Sequence, residues 1–143
     1  MVKLFVSEEG SKNMIELFES VEDHHKAVSA LAPLEVRSAI RRRQSSGDVS
    51  AAAAEQALDA LSAERRRLVE HPISSQALDE ASAVIDRRNL RALDALQLAT
   101  ALVAMQSLNS GDEVHFIVAD QKLMAAAIAE GLRGWDPSDE ALP

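Results

Sequence analysis

A chain of 143 residues suits one domain, which buries about 70% of the surface its unfolded form exposes. A formal charge of −8 argues against a protein that coats nucleic acid by charge alone, and the lack of cysteine excludes a disulfide framework or a thiolate zinc site. Apolar residues make up 47% but aromatics only 3%, so the core is expected from Ala, Leu, Val and Ile, in helices packed closely on a small sheet.

Residues 1–6 (MVKLFV) are apolar apart from Lys3 and lead into a turn at Ser7–Gly10. Charges at Lys3, Glu8 and Glu9 leave no room for a signal-peptide pattern. Ser11 is placed to cap a helix through about Val21, with Met14, Ile15, Leu17, Phe18 and Val21 facing inward. After a charged break at Glu22–Lys26, the short apolar run Ala27–Ala32 is expected to be a buried strand. Pro33 suits the first turn of a helix carrying Leu34, Val36 and Ile40 and ending with Arg41–Arg43 near Gly47. Ser50 opens an alanine-rich helix to about Arg67, with an apolar stripe at Ala54, Leu58 and Leu61. Leu68–Ile73 reads as a weaker strand at a sheet edge, because Pro72 interrupts it. Ser74 or Ser75 caps a helix to about Arg88, and Asn89 leads into Leu90–Met105 (LRALDALQLATALVAM).

That last stretch is apolar nearly all round, with only Gln97 and Thr100 polar between Leu96 and Met105. Such a helix belongs in a core, and it is far short of the roughly 20 residues a membrane span needs. A soluble cytoplasmic protein is expected, without a membrane partner. Ser107–Glu113 is a polar loop, and Val114–Ala119 is the clearest strand. Asp120 caps a final helix ending at Gly131, and the tail from Leu132 with Trp135 adds a short strand. Short apolar strands alternating with helices predict an α/β fold in which a small parallel sheet is flanked by helices on both faces.

Three acids fall at helix starts: Glu35, Asp94 and Asp120. Each suits its place for local reasons, since acids favour the first turn and Asp is a good cap. Asp94 stands out because its helix is so apolar. A buried carboxylate needs the helix dipole, an arginine such as Arg91, or a metal ion. In parallel sheets ligands bind beyond the carboxyl ends of the strands, where all three acids would gather. Converging carboxylates repel unless a divalent cation holds them, and Mg²⁺ or Mn²⁺ prefers such oxygen ligands. Ser29 and Gln97 lie near these acids in sequence.

Arginines come in groups: Arg41–Arg43, Arg65–Arg67, and Arg87, Arg88 with Arg91. Solvated helix ends explain each group taken singly. Together they allow a basic rim, with Arg41–Arg43 as candidates for RNA contact. His24, His25, His71 and His115 show no metal-ligand spacing and are expected on the surface or in the core.

With Glu35, Asp94 and Asp120 placed, the chain resembles a PIN domain, specifically the VapC-type toxin nucleases of bacterial toxin–antitoxin pairs. The similar stretches are VKLFVSEEGS at 2–11, SALAPLEVRSAIRRR at 29–43, LRALDALQLATAL at 90–102 and FIVADQKLMAAA at 116–127. The third is the most specific, and together they follow the family's order over most of a single domain spanning 1–143. The resemblance implies a small parallel sheet flanked by helices and metal-dependent cleavage of RNA phosphodiester bonds. It implies Glu35, Asp94 and Asp120 as second, third and fourth acids of a site for Mg²⁺ or Mn²⁺. It also implies a homodimer and a cognate antitoxin as partner.

The family pattern opens with a mid-sheet strand ending in Asp, whereas this sequence starts at Met1-Val2-Lys3-Leu4, inside the following helix. Val118 stands where the family often has Thr or Ser. Losing the first strand would strip both neighbouring strands of a hydrogen-bonding partner. The close match already at Val2 favours an upstream extension that holds the strand and acid. Without them, impaired cleavage is expected. Two further readings accompany the nuclease. One is a catalytically inactive module that binds an antitoxin or other partner in a groove formed by Ala54, Leu58 and Leu61 with the helix Met14–Val21. The other is a structural domain whose acids only cap helices.

Overall fold

A computed structural model describes the chain except residues 6, 8, 20–24, 110 and 140–143. The expected inward position of Val21, and His24, fall outside the described residues. The fold is α/β and mostly helical, with six helices and four strands of three residues each among the described residues. It divides into two compact units, Met1–Glu70 and His71–Pro143.

In the first unit a 3-10 turn at Val2–Leu4 precedes α1 (Ser11–Glu19). Met14, Leu17 and Phe18 of α1 are buried, but Ile15 is exposed, one residue round from the inward stripe. Lys26 then donates to the Phe18 carbonyl at 2.8 Å and lies 5.3 Å from the Phe18 ring centre, tying the end of α1 to the following strand. Strand β1 covers only Ala27–Ser29 of the expected Ala27–Ala32, because α2 (Ala32–Ser46) begins one residue before Pro33. Gly47 ends α2 with φ 86°, the left-handed conformation that glycine takes without a Cβ penalty. Ser50 accepts from the Ala53 N–H at 3.2 Å and starts α3 (Ala51–Arg65). Val36 and Ile40 of α2 pack against Ala54, Leu58 and Leu61 of α3. The stripe offered above as half of a partner groove is therefore already covered within the unit. Strand β2 (Val69–His71) stops before Pro72 and pairs with β1, with the Val69 N–H on the Lys26 carbonyl at 2.9 Å.

In the second unit Ser74 caps α4 (Ser75–Arg88), and Asn89 turns the chain with φ 51°, which Asn tolerates better than most residues. Helix α5 (Ala92–Met105) follows. Ala95, Leu98 and Ala99 join Val84 of α4 and Leu123, Ala126 and Ala127 of α6 (Gln121–Ala129) in one core. Thr100, the one buried polar residue described in that helix, donates to the Leu96 carbonyl at 2.7 Å, so its hydroxyl needs no distant partner. Strands β3 (His115–Ile117) and β4 (Arg133–Trp135) pair in parallel, with Phe116 opposite Gly134. The strands thus form two separate two-stranded sheets, β1–β2 and β3–β4, where the sequence pointed to a single sheet.

A charged clamp closes the second unit. Arg87 and Arg88 at the end of α4 both reach Glu130 after α6, at 3.0 and 2.7 Å, and Arg88 also donates to the Ala129 carbonyl. Hydrogen bonds from Arg87, and then from Arg88, hold the Glu130 carboxyl below its ordinary 4.5 despite partial burial.

This packing has measurable consequences. Leu98→Ala or Ile40→Ala should cost about 2–5 kcal/mol in urea unfolding, whereas Leu93→Ala, more than half exposed, should stay within about 0.5 kcal/mol. Glu130→Gln should lower the melting temperature at pH 7. Because folding depresses this carboxyl, the wild-type advantage is complete above pH 4.5 and fades as pH falls below it. A gap between the two melting curves that persists unchanged to pH 3 would contradict the clamp.

Candidate functional site

Each candidate acid stands at the start of a helix, and each is used differently. Glu35 is half-buried in the first turn of α2, whose N-cap residue, Leu31, has no capping side chain. Its N–H bonds to the Leu31 carbonyl at 3.1 Å, and the preceding turn is braced by Ser29, whose Oγ accepts from the Leu31 N–H at 3.3 Å. Ser29 therefore has a structural role here. Gln97 is half-buried on α5.

Asp120 is exposed and is the N-cap of α6, its Oδ1 accepting from the Leu123 N–H at 2.9 Å. A cap of this kind satisfies one of the orphan N–H groups at a helix start. Asp94 has no such work. It lies in the first turn of α5, half-buried, and its carboxylate makes no hydrogen bond or ion pair among the described residues. Arg91, the N-cap residue, has no side-chain capping bond and does not pair with it. Of the stabilisers considered for this carboxylate, the positive end of the helix dipole is the one the structure supplies.

Glu35 belongs to the first unit, and Asp94 and Asp120 to the second. Among the described residues no three His, Cys, Asp or Glu side chains are grouped as a metal ion requires. The carboxylate oxygens are of the right kind for Mg²⁺ or Mn²⁺, but the structure does not show the three acids gathered. One acid escaped the sequence reading altogether. Glu64 of α3 binds Arg67 through Oε2 at 3.1 Å, while Oε1 is buried with no partner among the described residues. Its position just before the last residue of a helix gives no signal of this.

The grouped arginines are mostly committed to ion pairs. Arg41 bonds Glu55 and Gln44, both at 2.7 Å. Arg65 holds Glu70 through two bonds at 2.6 and 2.9 Å, which keeps the Glu70 carboxyl below its usual range. Arg43 is also partnered. Two of the three arginines proposed for RNA contact, Arg41 and Arg43, are thus engaged within the fold. His115 lies 3.6 Å from Glu113, which also pairs with Arg133. His71 closes β2.

Asp120→Ala should destabilise the fold by about 0.5–2 kcal/mol through loss of the cap, while Asp120→Asn, which can still cap, should cost little. Equal losses in thermal unfolding would mean that the charge, and not the cap, matters there. Comparison of the chain with protein-family models and with curated proteins finds no match.

Proposed function

We propose that this chain is a PIN-like, divalent-metal-dependent endoribonuclease of the VapC type, with Asp94 as its principal metal-binding acid. One observation carries the reading. Asp94 is a half-buried carboxylate in an apolar helix, and its side chain has no hydrogen bond or ion pair among the described residues. The helix dipole favours an acid there, and the carboxylate oxygens, free of partners among the described residues, remain available to ligate an ion. Support also comes from the stretch LRALDALQLATAL that surrounds it and from the α/β alternation of short strands and helices. Asp120, which caps α6 through one oxygen, is proposed as a further oxygen ligand, and the resemblance implies the same role for Glu35. A bound Mg²⁺ or Mn²⁺ would supply an activated water and neutralise charge on the scissile phosphate. Asp94 would hold that ion in place. A homodimer and a cognate antitoxin are partners implied by the same resemblance.

The reading is tested by heat and by cleavage. Millimolar Mg²⁺ or Mn²⁺ should raise the melting temperature of the wild-type chain, since an ion that binds the folded state stabilises it. The same ions should leave Asp94→Asn unmoved. RNA cleavage should require the ion, stop in EDTA and be lost in Asp94→Asn with the circular dichroism spectrum unchanged. Cleavage by Asp94→Asn at the wild-type rate would refute the assignment.

A further inference from the structure

Three arginines of the first unit, Arg37, Arg42 and Arg66, stand apart from the ion pairs among the described residues. Arg37 on α2 and Arg66 at the end of α3 are exposed, and their side chains have no hydrogen bond or ion pair among the described residues. Both line a concave surface. One cleft runs between Pro33, Leu34 and Arg37 of α2 and Leu61, Ser62 and Arg65 of α3. Ser62 and Arg65 also line a second depression, with Arg66 and Glu70. The two depressions therefore adjoin at Ser62 and Arg65. Arg65 is neutralised by Glu70, so the net positive charge of the cleft comes from Arg37 and Arg66. Its wall is partly apolar, with Leu34 62% exposed. In a chain of net charge −8, an unpaired cationic rim at a concavity is selective for an anion.

We propose that this cleft binds the backbone of single-stranded RNA, with the Arg37 and Arg66 guanidinium groups on phosphate oxygens. The identity of the anion rests on the nuclease reading above. Guanidinium forks match the edge of a phosphate, and a single strand carries phosphates beside apolar base faces. That pairing of charge and apolar surface is the one Leu34 and the two arginines present. Because the acidic chain repels RNA at long range, the contact is local, and few counterions are released on binding.

The test is fluorescence anisotropy of a labelled single-stranded oligoribonucleotide in EDTA, where no metal-dependent cleavage occurs. Arg37→Ala/Arg66→Ala should weaken binding roughly tenfold and make log Kd less steep in log salt by about 1.4, or ~0.7 for each phosphate that is no longer neutralised. Lys12→Ala, which removes a charge on α1 outside the cleft, controls for net charge and should bind as wild type. Circular dichroism shows whether the double variant keeps its fold. If it binds RNA with wild-type affinity and salt slope, or if the wild-type chain binds no RNA, the proposal falls. It falls equally if a labelled peptide of Asp and Leu binds the wild-type cleft and the RNA does not. RNA binding that depends on these arginines, in a chain without metal-dependent cleavage, would uphold the cleft and reject the nuclease reading. Cleavage that depends on Asp94 but is indifferent to both arginines would do the reverse.

Discussion

A helix with almost no polar face has to be enclosed, and α5 imposes that requirement on the whole second unit. Ala95, Leu98 and Ala99 are each fully buried. The two alanines, with their small side chains, let α4 and α6 approach closely, and β3 supplies Phe116 along another side. The hydrophobic effect draws these elements together without fixing their angles. Directional bonds do that at the margins. Glu130 is shared by Arg87 and Arg88, and Gln76 of α4 donates to Gln106 after α5 at 2.9 Å. The first unit meets a milder form of the same requirement, with α2 and α3 sealing one stripe each against the other.

The helices were legible because their signals are local. Ser50, Ser74 and Asp120 each cap the helix that follows, and Gly47 ends α2, all from chemistry within a few residues. The apolar runs showed where strands lie but not how far they extend. Strand length depends on the partner's backbone, and apolar residues beyond the pairing are claimed by other elements. Ala32 joined a helix, and Leu68 and Ile73 flank a strand that Pro72 cuts short. Pairing is also the reason the sheets number two. A run such as VHFIVA marks a strand without naming its neighbour, and β3 found its partner in the tail at Arg133–Trp135.

The site was legible to a lesser depth. That Glu35, Asp94 and Asp120 begin helices follows from periodicity and capping, and the structure agrees. Which arginine meets which carboxylate does not follow, because the partners are remote in sequence. Glu130 lies more than forty residues beyond Arg87 and Arg88, and Glu55 lies fourteen beyond Arg41. A triplet such as Arg41–Arg43 therefore reads as a single basic patch, although Arg41 already spends its charge on Glu55. Arg37 drew no notice, being a lone cation between Val36 and Ser38.

Position alone thus cannot rank the acids, since all three share it. What ranks them is the work each already performs. Asp120 spends an oxygen on the Leu123 N–H, and that bond accounts for an aspartate at this position without any ligand. Asp94 stands deeper, in the first turn of the most apolar helix described in the chain, and returns nothing to the fold beyond its interaction with the helix dipole. A half-buried carboxylate with no side-chain partner among the described residues is the one on which the proposed metal site rests. The same reasoning separates Arg37 and Arg66 from the arginines that hold Glu70, Glu80 and Glu130. Charges paired within the chain explain the fold, and the proposed binding roles rest on Asp94, Arg37 and Arg66, which are not so paired among the described residues.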